Sequence, residues 1–251
     1  FSGAALANLM NEAAIVTARR SKEEITMSEV EYALDRLTVG LEKRTGMASD
    51  ARKRLVAYHE AGHALVGALT PGFDAVGKVT IVPRSNGAGG FTLFVPSEEQ
   101  QDSGMYSRRY LESQLAVALG GRVAEELVFG TEDVTTGASG DLQRVADVAR
   151  RMVTQWGFAT DELGATAWES PQGTNIQTNR MASEKTQERI DEAVEDIVRR
   201  AYAVCRDTLE ANRELLDLIV EELVEKETIG NDELMQLVRT QGVAPESLAA
   251  A

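Results

Sequence analysis

His59-Glu60-Ala61-Gly62-His63 lies inside a proline-free stretch, Ala51 to Leu69, and how that stretch is read decides the fold around it. On a helix, residues i and i+4 share one face, one turn apart, so both imidazoles point the same way. Two neutral imidazoles at that spacing can grip one zinc ion, and the glutamate between them is close enough to handle the water on it. These are the only two histidines in 251 residues. The competing reading is an ordinary buried helix whose histidines are satisfied by hydrogen bonds. The flanks support the helix itself: Ser49 and Asp50 offer N-caps, and Thr70-Pro71-Gly72 stops it. Val56, Tyr58, Leu65 and Val66 supply apolar surface. Gly62 is disfavoured inside a helix by about 1 kcal/mol relative to alanine. Close approach of another backbone or a bulky neighbour is the expected compensation.

Composition sets the outer limits. Forty-three per cent hydrophobic and 26% charged residues are ordinary for one or two globular domains. A net charge of −14 argues against a nucleic-acid surface, because phosphates are repelled. The single cysteine, Cys205, sits in a helical pattern with Ala201, Tyr202 and Val204 and reads as a core thiol, so the fold needs no oxidising compartment. There is no run of about 18 apolar residues, hence no membrane span, and no targeting segment. The chain opens at Phe1 on what reads as the middle of a domain, so a fragment of a longer protein is expected.

Residues 1–39 read as two helices. Ser2 caps the first, with Leu6, Leu9, Ala13 and Val16 as its stripe; Ser28 and Glu31 form a capping-box pattern before Tyr32, Leu34 and Leu37. Residues 40–50 read as a linker. After the His-Glu helix the period changes to two: Val79 and Ile81, then Phe91, Leu93 and Val95, flank Pro83 to Gly90 as a hairpin or pair of short strands. The glycine-rich turn between them lacks the Lys-Ser/Thr and the following helix of a phosphate loop. Tyr106 to Phe129 reads as a helix interrupted at Gly120-Gly121. Another helix runs from Ser139 to about Gln155, and Trp156 to Asn179 reads as a long loop. Ser183–Leu209 and Asn212–Glu225 read as a helical hairpin.

A catalytic zinc takes three protein ligands and leaves one position open. With no histidine left, a carboxylate or Cys205 must be the third, and Cys205 lies in an apolar stripe. Asp141 follows small residues and glycines and falls in the first turn of a helix; ligation and simple N-terminal capping are both open to it. Glu125 or Glu126, after Gly120-Gly121, is the other candidate, as a ligand or as the group orienting an imidazole. An Arg122–Glu126 surface pair is the plain alternative there.

Three stretches carry a resemblance: His59-Glu-Ala-Gly-His63-Ala-Leu-Val, Leu119-Gly-Gly-Arg-Val-Ala-Glu-Glu126 and Thr135-Thr-Gly-Ala-Ser-Gly-Asp141-Leu. With Phe1-Ser-Gly-Ala-Ala-Leu-Ala-Asn-Leu and Asn11-Glu-Ala-Ala, they resemble the FtsH family of membrane-anchored, ATP-dependent zinc proteases. The likeness covers nearly the whole chain, and Met105 to Gly121 is most similar to chloroplast or cyanobacterial members. It implies that His59, His63 and Asp141 hold one zinc per chain, that Glu60 is the general base, and that Glu125 stands behind a ligand. It implies a mainly α fold: a helical metalloprotease domain (51–240) with a small β-hairpin or sheet, a remnant of a helical AAA+ lid before it (1–39), the 40–50 linker and a C-terminal tail (241–251). The parent is expected to form a homo- or hetero-hexamer, to hydrolyse ATP with magnesium in a module absent here, and to degrade unfolded polypeptides. Its expected location is the chloroplast thylakoid membrane, or a bacterial-type plasma or thylakoid membrane, reached through segments outside this chain. Ala5 stands where the family usually has aspartate. Gly140 stands where asparagine is common and is expected to loosen the loop presenting Asp141.

The mechanism so implied is metal-assisted peptide hydrolysis, with Glu60 taking a proton from water and giving it to the leaving amine. The stretch Gly90, Phe91, Thr92, Leu93, Phe94, Val95 is the candidate for pairing with an extended substrate by strand addition. A non-catalytic ring-assembly module, or a zinc amidase acting on small molecules, are the rival readings.

Overall fold

In the computed structural model, which describes residues 2–42, 49–85, 87–97, 104–169 and 182–240, the His-Glu stretch is one helix, Asp50–Leu69. Residues 43–48 of the expected linker, 170–179 of the expected loop and the 241–251 tail lie outside the described residues. The chain forms two compact units, Phe1–Ser49 with Val82–Gly90, and Asp50–Ile81 with Phe91–Ala251.

The first unit contains α1 (Gly3–Arg19) and α2 (Met27–Val39). Ser2 does cap α1, its hydroxyl accepting from the Ala5 N–H at 3.2 Å. Leu9, Ala13 and Ala33 make a small core between the helices. Two expectations shift. Leu6 and Leu37 are exposed, and the inward face of α2 carries Ala33 instead. The capping box also begins two residues earlier, at Thr26, where Glu29 Oε2 accepts from the Thr26 N–H at 3.3 Å and its hydroxyl at 2.5 Å. Glu29 wins over Glu31 because it is buried between two cations, Lys22 at 2.7 Å and Arg20 at 2.8 Å. Lys22, then Thr26 and Arg20, hold its carboxyl down at about 2. In the Val82–Gly90 segment, Arg84 reaches Asp35 at 3.2 Å, and a tight turn closes through Gly87 at φ 96°.

In the second unit, the 50–69 helix (α3) is the axis. Its residues from Ala57 to Leu69 are almost all buried, because other elements cover it from several sides. A sheet of order β2-β1-β3 lies along it, made of β1 (Ala75–Thr80), β2 (Phe91–Val95) and β3 (Thr228–Gly230), all antiparallel. The hairpin pairing read from the sequence is present, with Val79 opposite Thr92 and Val76 opposite Phe94. The third strand was not foreseen; at three residues it is too short to show a period. A register shift between Val76 and Lys78 breaks the expected alternation in β1.

The remaining elements are α4 (Arg108–Phe129), a short 3₁₀ turn (Thr136–Ala138), α5 (Ser139–Thr154), α6 (Thr160–Leu163), α7 (Glu184–Ala211), α8 (Arg213–Lys226) and α9 (Asn231–Thr240). The expected break at Gly120-Gly121 does not occur: α4 is continuous through both glycines. Tight packing against α3 offsets their low helix propensity. The expected loop from Trp156 contains α6, and its described end is tied back where Glu169 takes Arg150 at 2.7 Å. The α7 stripe of Ile190, Ile197 and Ala201 and the α8 stripe of Leu215, Leu216, Ile219 and Leu223 are core. No helix among the described residues is long and apolar enough to cross a membrane.

Candidate metal centre

One turn of α3 brings His59 and His63 side by side, and the first turn of α5 brings Asp141 to them. His59 Nε2 and His63 Nε2 are 3.2 Å apart, and Asp141 Oδ2 lies 3.4 Å and 3.6 Å from them. Among the described residues this is the group of carboxylates and imidazoles that could hold an ion. A tetrahedral zinc site with bonds of about 2.0–2.1 Å has ligand-to-ligand edges of about 3.3–3.4 Å. The triangle of donors therefore already has the size of one zinc face.

The proton positions point the same way. His59 Nδ1 is 2.8 Å from Glu125 Oε1, and His63 Nδ1 is 2.8 Å from the Val117 carbonyl oxygen. Both partners only accept, so each Nδ1 donates and each neutral ring keeps a lone pair on Nε2. Two lone pairs and a carboxylate oxygen converge, an arrangement suited to a cation. A proton can serve when no metal does. Burial pulls the His59 pKa down, but Asp141 and Glu125 outweigh it and lift it to about 10. Burial also works against the charge on Asp141, yet His59 and His63 hold its carboxyl well below the usual range.

Glu125 links His59 to the segment that carries Asp141. Its second oxygen accepts from the Thr135 N–H at 2.8 Å and the Thr135 hydroxyl at 3.0 Å. That hydroxyl accepts in turn from the Gly137 N–H at 3.2 Å, in the 3₁₀ turn leading to Asp141. One carboxylate on α4 thus orients an imidazole on α3 and fixes the loop that delivers the aspartate. The donors around it keep Glu125 ionised, its pKa lowered although burial alone would raise it. Asp141 does not cap its helix; it faces the imidazoles.

The two glycines of α4 have separate jobs. A Cβ on Gly120 would lie 2.7 Å from the Gly62 carbonyl carbon, and one on Gly62 would lie 2.3 Å from the Gly120 oxygen. The helices touch backbone to backbone there, which is the compensation Gly62 required. A Cβ on Gly121 would lie 2.6 Å from both Nε2 atoms, inside the space an ion needs. Gly140, in contrast, meets nothing within 4 Å and is part of the first turn of α5.

On another side of α3 runs β2, the outer strand of the described sheet. The Thr92 hydroxyl is 2.9 Å from Glu60 Oε2 and 3.1 Å from the Glu60 carbonyl oxygen. Phe94 fills the notch left by Gly67. So Thr92 and Phe94 face the helix, while Phe91, Leu93 and Val95, the alternating residues in the sequence, occupy the other face. Gly90 precedes the strand. Glu60 is buried, and burial raises its pKa against the pull of the two imidazoles and Thr92.

Two candidates fall away. Cys205 is fully buried on α7, its thiol pushed up by burial and by Glu126, and it is a core residue. Glu126 pairs with Arg122 at 2.6 Å and accepts from the Tyr202 hydroxyl. The sequence reading missed the Val117 carbonyl, Thr135 and the hydroxyl of Thr92 as parts of the site. Only Gly120-Gly121 carried a signal, read there as tight packing without the ring space that Gly121 provides.

The profile of peptidase family M41 matches residues 46–237. The chain is 53% identical over 243 residues to ATP-dependent zinc metalloprotease FtsH 3 of Synechocystis sp., covering 95% of this chain and 39% of that protein. It is 49% identical over 243 residues to the FtsH protein of Synechococcus sp., covering 95% and 38%. It is 48% identical over 242 residues to the chloroplastic FTSH 1 of Arabidopsis thaliana, covering 94% and 34%. The chain thus spans well under half the length of the relatives it matches. Identity of this extent, over a chain whose His59, His63 and Asp141 side chains already outline a zinc-sized triangle, gives it a family: it belongs to peptidase family M41, the FtsH zinc metalloproteases.

Proposed function

We propose that this chain carries the zinc endopeptidase of a longer ATP-dependent protease. The observation that supports it most is the convergence of three donor atoms, 3.2–3.6 Å apart, beside a buried glutamate. In this reading His59, His63 and Asp141 hold the ion, and Glu125 and the Val117 carbonyl orient the imidazoles. Zinc, when bound, supplies Lewis-acid chemistry, making water nucleophilic near neutral pH and drawing charge from a peptide carbonyl. Glu60 accepts the proton of the attacking water and delivers it to the nitrogen of the departing amine. Its burial keeps the carboxylate poorly solvated and hence a stronger base than a free glutamate. The base works deprotonated, so kcat/KM falls as pH drops far enough to protonate Glu60.

Substrate is read as extended polypeptide, laid along β2. Proline at Thr92 is a poor test of that, because it also removes the hydroxyl held to Glu60; Leu93→Pro, on the face away from the helix, is the cleaner variant. The relatives' names support ATP-dependent action and a chloroplast or cyanobacterial setting. The hexamer, the AAA+ lid assigned to 1–39, the thylakoid membrane and unfolded or damaged substrates belong to the same reading.

The decisive experiment pairs metal analysis with Glu60→Gln. Wild type should hold one zinc per chain, seen by scattering at the zinc edge, and should cut casein. The variant should keep the zinc and lose the cutting. No hydrolysis by wild type even in the assembled parent would leave only an assembly module. Hydrolysis of small amides but not casein would make it an amidase.

A further inference from the structure

The reading of Glu60 as general base leaves a question of aim. A carboxylate on a helix can rotate, and proton transfer requires an oxygen within hydrogen-bond reach of the water it deprotonates. Glu125 fixes His59 and Val117 fixes His63, but neither touches Glu60. Among the described residues, the hydrogen-bond partner of the Glu60 carboxylate is Thr92, whose hydroxyl lies 2.9 Å from Oε2. The same hydroxyl lies 3.1 Å from the Glu60 carbonyl oxygen, so it is anchored over the helix turn that carries the glutamate. Thr92 is itself rigid. It is β-branched, restricted at χ1, and its backbone pairs with Val79 at the centre of the sheet.

We infer that Thr92 is a positioning residue for the hydrolysis: by holding one oxygen of Glu60 it leaves the other aimed at water, and it ties that aim to the strand proposed to carry substrate. The inference rests on the reading of Glu60 above. A second consequence follows from the tie. Any peptide paired along β2 acquires a fixed register relative to the base, because strand and glutamate share one hydrogen bond. The plain alternative is that Thr92 merely fastens β2 to α3 and matters only for stability.

Thr92→Val and Thr92→Ser separate the two in the zinc-loaded protein, taken in the longest form its gene encodes. Valine keeps shape and strand preference but loses the hydroxyl; serine keeps the hydroxyl. The expected result for valine is a kcat lower by about tenfold to a hundredfold, the scale of a lost hydrogen bond to a charged group. KM, zinc content and the melting temperature should stay near wild type. Binding of an uncleavable reduced-amide peptide, read by fluorescence anisotropy, should also be unchanged. Serine should restore most of kcat. In a Glu60→Gln background, Thr92→Val should have no further effect on turnover. A valine variant with unaltered kcat overturns the inference, and so does one whose zinc content or melting temperature falls in step with kcat, or a serine variant that rescues nothing. A wild type without zinc or hydrolysis sinks the underlying reading of Glu60 and this inference with it. Loss confined to the Thr92 predictions, with wild type and Glu60→Gln behaving as stated, sinks this one alone.

Discussion

The α3 helix is flanked by two faces built on opposite principles. Against α4, side chains have been taken away: Gly62, Gly120 and Gly121 let backbone meet backbone and leave a hole at the two Nε2 atoms. Against β2, side chains have been added: Thr92 reaches Glu60 and Phe94 fills the space over Gly67. In the proposed reading the first face would place the ion, where a displacement of a few tenths of an ångström breaks coordination geometry. In the same reading the second would place the base, and it is made of parts that can adjust. The difference teaches that tolerance to substitution should differ sharply between the two faces, even though both border the same two turns of helix.

The largest effect belongs to the α4 face. Gly121→Ala puts a carbon 2.6 Å from each Nε2, close to where an ion would sit about 2.0–2.1 Å from each. Alanine is also the better helix former, so the helix itself gains. The expected outcome is a folded protein with full helical circular dichroism, zinc below about a tenth of wild type and hydrolysis reduced about a thousandfold or more. Normal zinc in this variant would break the assignment of the hole to the ion.

Gly62→Ala comes next. Its Cβ meets the Gly120 oxygen at 2.3 Å and the Ala124 Cβ at 2.7 Å, and a backbone carbonyl inside a helix has nowhere to go. The helices must separate, at about 3 kcal/mol, the upper range for overpacked cores. For a domain of this size the melting temperature should fall by about 6–12 °C in a calorimeter.

Much of this was visible in the residues, and the reasons for the rest are physical. The His-Glu-x-x-His spacing placed two imidazoles side by side, because helical periodicity fixes which residues share a face. Asp141 stayed open between ligand and cap, since an acid in a first turn suits either; only the fold shows that it turns to the imidazoles. The Gly120-Gly121 pair announced close packing but not which glycine served backbone and which served the rings. The Val117 carbonyl was invisible because any residue supplies one. The orientation of Thr92 was not legible: apolar alternation picks out Phe91, Leu93 and Val95, and only the fold shows the polar residue aimed at the helix.

Glu125→Gln tests the wiring behind the first face at a smaller scale. Glutamine can still accept from His59, but its amide nitrogen cannot accept from Thr135. Zinc affinity should drop about 10- to 100-fold, measured against a competing chelator. A pH series adds a second reading on metal-stripped protein. The folded His59 pKa is raised from 6.5 to about 10, so its stabilising effect is complete below 6.5 and is lost as pH rises through about 10. The melting temperature of stripped wild type should fall across that window. Removing the Glu125 charge should shrink the fall, and zinc-loaded protein should not show it.

Gly67→Ala probes the second face and should do least. Its Cβ meets Phe94 Cε1 at 2.4 Å and Cζ at 3.0 Å, the far edge of a ring, where Gly62 meets backbone. The ring can swing; it stacks edge-on against Phe73 at 5.4 Å and is only partly buried. The expected cost is about 1 kcal/mol, or about 2–4 °C in melting temperature, with zinc content untouched. The informative quantity is kcat. Phe94 and Thr92 share one face of β2, so any part of the clash that the ring does not absorb by swinging passes to the strand and draws the Thr92 hydroxyl off Glu60. A kcat loss larger than the stability loss, with zinc still at one per chain, would show that the adjustable face governs the base while the rigid face governs the ion. Loss of zinc here would mean the two faces are mechanically one.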